Sequence, residues 1–461
     1  MRPDLLARIQ ATNKPFKIFT DYVEDGAMEQ FAECMEQPSV IQGALMPDTH
    51  SGYVAPIGSV LLVKNNIFPS FVGYDIGCGM SECMLDIQAD SITKEQYIAI
   101  KNQILRDIPI GFNRHKTKQC VPIKCDMTSM ALEILADHGT LQLGTLGGGN
   151  HFIELGESEQ TGNLSIIIHS GSRGVGHKIA THYMKEAAIA NTDERRYKRE
   201  FDEKNIGWYK ATLAKGATKT LNEKYHVARK EFVYRRVRAR VDNIEDAYPL
   251  DINTQLGKDY INDMNMCLEF ALANRKQMID KCAYAVHRVL GLDGHKEIKE
   301  LRFINRNHNH AELTTVPMTD ESYKNYQQKC FENNDTCLPQ CELREEGWIH
   351  RKGATQAQTD MLGVIPGNMV DGSFVVKGKG NNDSLSSSSH GAGRVLSRKK
   401  AKESLSLDDF KQQTSHLVAN HSDSNLDEAP DAYKNIFEVM DNQRNLVEVI
   451  DRIVPIINIK G

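Results

Sequence analysis

The stretch Ser384–Arg398, SLSSSSHGAGRVLSR, sets one histidine, His390, among small residues, with Arg394 and Arg398 downstream. An imidazole with no bulky neighbours in sequence can be approached closely, and two guanidiniums can neutralise anionic oxygens, so the pattern suits a nucleophile facing a phosphate. A Gly/Ser-rich surface loop would have the same composition. A second group of residues has the chemistry of metal ligands. Asp75 and Cys78 stand in the turn of SFVGYDIGCGMSECMLDI, where Gly73, Gly77 and Gly79 let the backbone bring a carboxylate and a thiol together. His151 follows the triple glycine of LGTLGGGNHFIELG, His169 closes the apolar run LSIIIH, and His308 follows LRFINRN. These five residues exceed what one closed tetrahedral ion needs, which suggests two ions sharing the thiolate. Softness alone favours zinc at such a site, and the residues leave the metal open.

Those side chains have to be positioned by ordinary elements. ALMPDTHSGYVAPIGSVLLV reads as a Gly/Pro-punctuated loop with Asp48 and His50, running into a strand from Ser59 to Val63. Turn chemistry and a role in a site explain Asp48 equally well. Residues 91–140 are expected to be helical from the apolar positions Ile98 to Leu135. Triple glycine before Asn150 and His151 exposes backbone amides to an anion, and Glu154 should point to the opposite face of the strand that follows. A strand ending at His169 empties into a glycine loop with Arg173 at a helix N-terminus. His308, His310 and Glu312 alternate and could face one side of an extended segment. Basic residues His350, Arg351, Lys352, Lys377 and Lys379 gather ahead of His390, and the chain ends in a loop, a helix and a closing strand with Lys460 next to last.

Composition sets the outer limits. A chain of 461 residues, 40% hydrophobic and 25% charged, can bury a sizeable core in one large elaborated domain or two. A net charge of −5 gives no global attraction to nucleic acid, so any phosphate site must be local or metal-supplied. With ten scattered cysteines, no signal-peptide pattern and no apolar run of membrane-spanning length, the chain is expected to be cytoplasmic, with free thiols and no membrane partner. Residues 186–245 turn abruptly charged and helical, and Arg235, Arg236, Arg238 and Arg240 read as a solvated helical arm, with RNA contact as the alternative. Residues 319–345 read as a polar surface insert whose Cys330, Cys337 and Cys341 fit no standard zinc spacing.

The motifs PDTHSGY, DIGCGM, GTLGGGNHFIEL, HSGSRGVGH, HRKGAT, SSHGAGRVLSR, DEAP and the final KG, in this order from about residue 46 to the end, resemble the RtcB RNA-splicing ligase family. The resemblance implies an α+β fold: one large catalytic domain over residues 1–461, mixed β-sheets flanked by helices, with 186–245 as a charged helical insertion. It implies joining of RNA 2′,3′-cyclic-phosphate or 3′-phosphate ends to 5′-hydroxyl ends, with GTP and two manganese(II) ions per chain, in tRNA splicing or RNA repair. An archease-like activator is a further partner it suggests. By resemblance His390 becomes guanylylated, Asp75, Cys78 and His151 hold one ion, and Cys78, His169 and His308 hold the other. The nucleotide site carries over to Asn150, His151, Phe152, Ile153 and Glu154, to His308 and Asn309, and to Pro366, Gly367, Asn368 and Met369. It continues through Ser373, His390, Gly391, Ala392, Gly393 and Lys460, with Lys460 and Glu154 at the guanine. The chain departs from the family pattern PGSMG at Pro366–Val370, where Asn368 puts an amide in place of a serine donor. Two other readings use the same residues: a dinuclear metal phosphoesterase acting on RNA ends without His390, and a non-catalytic protein that binds RNA ends.

Overall fold

Eight residues in a row, Asn163–Ser170, are buried, which is what a strand covered on both faces requires of its sequence. This strand lies near the middle of an eight-stranded sheet in the computed structural model, which describes residues 2–461 except 214–218, 243, 245, 293–298, 319, 334 and 420–422. The strand order is Leu362–Pro366, Ser373–Gly378, Val447–Lys460, Phe152–Ser158, Asn163–Ser170, Gly79–Gln88 and Glu300–Asn307, with Val418–Ala419 pairing parallel to the long C-terminal strand. A five-stranded sheet runs Phe16–Ile18, Val40–His50, Ile57–Val63, Arg344–Lys352 and Asn309–Pro317. The class is α+β.

The two sheets are joined at one residue of consequence. The edge strand Glu300–Asn307 of the larger sheet passes directly into the edge strand Asn309–Pro317 of the smaller, with His308 alone between them. A break of one residue turns the side chain that occupies it out of both pleats. His310 and Glu312 therefore part company with His308: they approach the buried Arg351, the first at 3.5 Å, while His308 points into the ligand cluster.

The helix Gln255–Leu290 spans the back of the larger sheet. Thr254 caps it by accepting from Gly257 N, and Gly291 ends it in the left-handed region at φ +64°. Its Met278, Ile279, Cys282 and Val286 pack into one core cluster with Ile153, Leu155, Ile166 and Ile168 of the sheet. One helical turn earlier it carries Asn274 and Arg275, both fully buried.

Three expectations need correction. The PDTH segment is not a loop: Asp48 and His50 complete the strand Val40–His50, whose register shifts between Leu45 and His50. Residues 91–140 are not one helical stretch, because Lys94–Asp107 is followed by irregular chain until Ser129. Val121, Ile123, Cys125 and Met127 pack on the core at a spacing of two, the period of extended chain. The basic residues before His390 do not gather, since Arg351 is buried against Glu312, Lys352 bonds the Tyr53 and Ser70 carbonyls, and Lys377 pairs with Asp360.

The helices Glu194–Leu213 and Lys219–Asp242 pack on each other through Phe201 and Tyr225, ring centroids 5.3 Å apart. Arg236 pairs with Glu200 and Arg235 with Glu231, which is the paired-charge pattern of a solvated arm; the Arg240 side chain lies outside the described residues. Cys330 is buried beside the exposed Cys337, the Cys341 side chain lies outside the described residues, and no metal-ligand cluster includes them among those described. No helix among the described residues is long and apolar enough to cross a membrane.

Candidate active site

Asp75, Cys78, His151, His169 and His308 converge. Cys78 Sγ lies 3.4 Å from His151 Nε2 and 3.3 Å from His169 Nε2, His151 Nε2 is 3.1 Å from Asp75 Oδ2, and His169 Nε2 is 3.4 Å from His308 Nε2. They form two triads, Asp75–Cys78–His151 and Cys78–His169–His308, each with its donor atoms within 4.8 Å of one another and with Cys78 in both. Hydrogen bonding at the far side of two rings sets the tautomers: His151 Nδ1 donates to Leu146 O at 3.1 Å and His169 Nδ1 to Asn150 O at 3.2 Å. That leaves both Nε2 lone pairs facing the cluster. Burial, then neighbouring imidazoles and other cations, holds His169 and His308 well below the usual histidine range, so both rings are neutral, the form a metal ligand requires. Burial, then the Asp75 carboxylate, pushes the Cys78 thiol well up, a penalty that a bound cation reverses. Carboxylate, thiol and neutral imidazoles fit divalent cations.

The helix behind the sheet holds these ligands in register. Arg275 Nη1 donates to Gly77 O and to Ser170 O, both at 2.9 Å, and its Nη2 donates to Asn307 Oδ1 at 2.7 Å. One guanidinium thus ties down the residues next to Cys78, His169 and His308. Asn274 braces the glycine turn, accepting from Gly144 N at 2.7 Å and donating to Gly171 O at 3.1 Å. Neither residue stood out in the sequence, where they fall inside an ordinary amphipathic helix; two adjacent polar residues on its buried face were the available signal.

His390 stands against the second triad, its ring 4.7 Å from that of His308 at 71°. Asp48 is fully buried and its Oδ2 accepts three hydrogen bonds: from His390 Nδ1 at 2.7 Å, His390 N at 3.1 Å and Gly391 N at 3.2 Å. Burial pushes the Asp48 carboxyl up, but the charge and hydrogen bond of His390 more than reverse it, so the group is an anion. In the neutral ring, with Nδ1–H given to Asp48, the His390 lone pair is on Nε2. Gly353, at φ +61°, passes so near that a Cβ there would sit 3.0 Å from His390 Cε1, leaving the ring little room to swing.

A cleft of about 600 Å³ opens beside this ring, lined by Asn150, Phe152, Pro366, Gly367, Gly391, Ala392, Gly393 and Lys460, and also by Arg394, Arg398 and Tyr433. Lys460 Nζ lies 4.9 Å from the Phe152 ring centre and donates to Glu428 Oε2 at 3.2 Å. Glu428 also takes Tyr433 Oη at 2.6 Å and the Arg394 and Arg398 guanidiniums at 3.2 and 2.7 Å. Both arginines, read from sequence as phosphate neutralisers, therefore give hydrogen bonds to the DEAP segment. Asn368 turns away, accepting from Val370 N and Asp371 N at 2.9 Å and donating to Asp371 at 2.7 Å. Met369 packs with Phe410 and Leu417, Ile153 lies in the core, and Asn309 Nδ2 donates to Asp75 O at 3.1 Å.

Glu154 is buried with its carboxyl accepting from Ser373 Oγ at 3.1 Å and Asn458 Nδ2 at 3.0 Å. Burial pushes it up to about 7 from 4.5, against those bonds and the charge of Lys460. Between these values the folded chain keeps a proton that the unfolded chain releases. Stability therefore falls by roughly 3 kcal/mol as pH rises through the window, and is level above it. Glu154→Gln stays neutral and should flatten that decline in denaturant midpoints taken at about pH 5 and about pH 8; an unchanged slope would assign it to another group.

The profile of the family described as tRNA-splicing ligase RtcB matches residues 30–136 and 123–461. The chain belongs to the RtcB family. It is 31% identical to the RNA-splicing ligase RtcB1 of Escherichia coli strain ATCC 25922, over 97% of this chain and 98% of that one. It is 30% identical to the RNA-splicing ligase RtcB of Escherichia coli K12 over the same shares. The tRNA-splicing ligase RtcB of Nanoarchaeum equitans is 24% identical over 94% of this chain and 90% of its own. The match to RtcB from residue 30 onward takes in the larger sheet, the smaller sheet apart from Phe16–Ile18, and the five clustered side chains.

Proposed function

We propose that this chain, an RNA ligase by family, joins an RNA 3′-phosphate end, or a 2′,3′-cyclic phosphate opened to one, to a 5′-hydroxyl end through a His390–GMP intermediate. The observation that carries the reading is the Asp48–His390 pair at 2.7 Å, which takes up Nδ1 of a ring that stands against His308 of the second ligand triad. Nε2 attacks the α-phosphorus of GTP; a P–N bond forms, the bond to the bridging oxygen breaks, and pyrophosphate leaves. The ring, now substituted at Nε2 and protonated at Nδ1, is a cation, and the buried Asp48 carboxylate stabilises it. The 3′-phosphate of RNA then displaces the imidazole and takes the GMP. The 5′-hydroxyl oxygen attacks the activated 3′-phosphorus, GMP departs, and a 3′,5′-phosphodiester remains.

Asp75, Cys78 and His151 would hold one manganese(II) ion and Cys78, His169 and His308 a second, supplying positive charge against the phosphate oxygens. Phe152 and Lys460 line the cleft that would take the nucleotide. Incubation with α-labelled GTP and manganese tests the reading: an acid-labile protein–GMP adduct is expected, and His390→Ala should abolish it. Hydrolysis of RNA ends without an adduct would establish the phosphoesterase instead, and RNA binding with neither would leave a non-catalytic protein.

A further inference from the structure

A ligation site must hold a strand as well as a phosphate, and three rings stand on segments next to those that carry the cluster, with no part in the chemistry above. Tyr53 and Tyr74 meet edge to face with centroids 5.6 Å apart at 89°, and Tyr74 stacks on His177 at 5.2 Å and 20°. They come from three elements that also carry the site. Tyr53 follows the strand of Asp48 and His50, Tyr74 precedes Asp75, and His177 is in the first turns of the helix that begins at Arg173, just past His169. Tyr53 is 59% exposed and His177 is exposed, while Tyr74 between them is half-buried and packs against the core, so the ladder is anchored at its middle ring and presents its two ends to solvent. The Lys352 ammonium fixes its outer end by bonding the Tyr53 carbonyl.

Positive charge continues the ladder. Lys178 follows His177, and Lys178, Asp137 and Arg114 all act electrostatically on His138, which places two cations and one carboxylate around that ring. Arg114 belongs to the irregular segment after Asp107, where Phe112 is fully exposed and Arg114, Lys116 and Lys118 are exposed. This segment abuts the triple-glycine turn before His151, through Gly111 N to Gly147 O at 2.7 Å. Arg114, Lys116, Lys118 and Lys178 form no ion pair with any carboxylate among the described residues. In a chain of net charge −5, a segment of exposed cations without a direct ion pair among the described residues, near exposed rings, is a local feature that a polyanion with flat bases would match.

We propose that the Tyr53–Tyr74–His177 ladder and the segment carrying Arg114, Lys116 and Lys118 form a track for single-stranded RNA leading to the ligand cluster. A base stacks on Tyr53, and backbone phosphates lie along Arg114, Lys116, Lys118 and Lys178. The proposal rests on the RNA reading given above and specifies where the strand runs.

The test is titration of a fluorescent 3′-phosphorylated oligoribonucleotide into the full-length protein, alongside GMP-adduct formation, which needs only GTP and manganese. Tyr53→Ala should weaken RNA binding about tenfold while Tyr53→Phe, which keeps the ring, does not. Replacing Arg114, Lys116 and Lys118 together by alanine should flatten the dependence of affinity on salt by about two to three contacts. Adduct formation should be unchanged in all three, which also reports a folded site. RNA affinity and salt slope equal to wild type in both alanine variants would overturn the track. A wild-type chain that forms no adduct, yet loses RNA affinity in Tyr53→Ala, would uphold the track and overturn the catalytic reading alone.

Discussion

Asp48→Ala is expected to slow formation of the protein–GMP adduct by about 10²–10⁴-fold and also to lower thermal stability, because two backbone amides lose their buried acceptor. In the proposed chemistry the carboxylate would do two separable things. Accepting Nδ1–H at 2.7 Å puts the His390 lone pair on Nε2, and the negative charge offsets the cation that forms when Nε2 bonds to phosphorus. Alanine removes both, and also strips the acceptor from His390 N and Gly391 N, so the loop that presents the ring loses its anchor. Asp48→Asn separates the contributions. An amide oxygen can occupy the place of Oδ2, with the nitrogen where the partnerless Oδ1 now lies, so asparagine keeps the tautomer and loses only the charge. It should therefore fall between alanine and wild type. The check is the single-turnover rate of adduct formation at saturating GTP and manganese; an Asp48→Ala rate equal to wild type would detach this carboxylate from the chemistry.

Cys78→Ala is expected to have the broadest effect of any ligand change, because Sγ is the one donor common to both triads. His151→Ala or His308→Ala leaves one set whole, whereas loss of the thiol reduces both to a pair. A protein equilibrated with manganese and dialysed should accordingly retain clearly less metal in Cys78→Ala than in either histidine variant, and should form no detectable adduct. Metal content by atomic emission reads the first expectation and labelled GTP the second. Wild-type metal content in Cys78→Ala would remove the shared thiolate from the site. Folding is the control, and it favours the experiment: Cys78 is buried, small and already disfavoured as an anion without a cation, so alanine costs little beyond the lost ligand.

What could be read from the chain before its structure follows from where chemistry leaves a local mark. Glycine turns at Gly73–Gly79 and Gly147–Gly149, and histidines at the ends of apolar runs, are signals carried within a few residues, and they nominated the ligand candidates that the fold brings together. The role of Asp48 had no such mark. A turn aspartate and a histidine-orienting aspartate have the same neighbours in sequence, and the partner that decides between them is 342 residues away. Arg275 was silent for the same reason: its value lies in reaching Gly77, Ser170 and Asn307 at once from a helix whose pattern is that of any covered helix. The segment after Asp107 was misread because its apolar residues count toward a helix when only their density is considered; their spacing of two shows the extended course.

The sequence by itself supplied the inventory: candidate ligands at glycine-rich turns and strand ends, a histidine among small residues, and motifs resembling one α+β family along most of the chain. Tertiary structure decided the partnerships. It placed one thiol between two sets of ligands, gave His390 its tautomer through Asp48, and turned Arg394 and Arg398 toward Glu428. The physical reason is range: backbone conformation is set by residues a few positions apart, while hydrogen bonds, charge and shared ligands act over ångströms between residues that the chain keeps far apart until it folds.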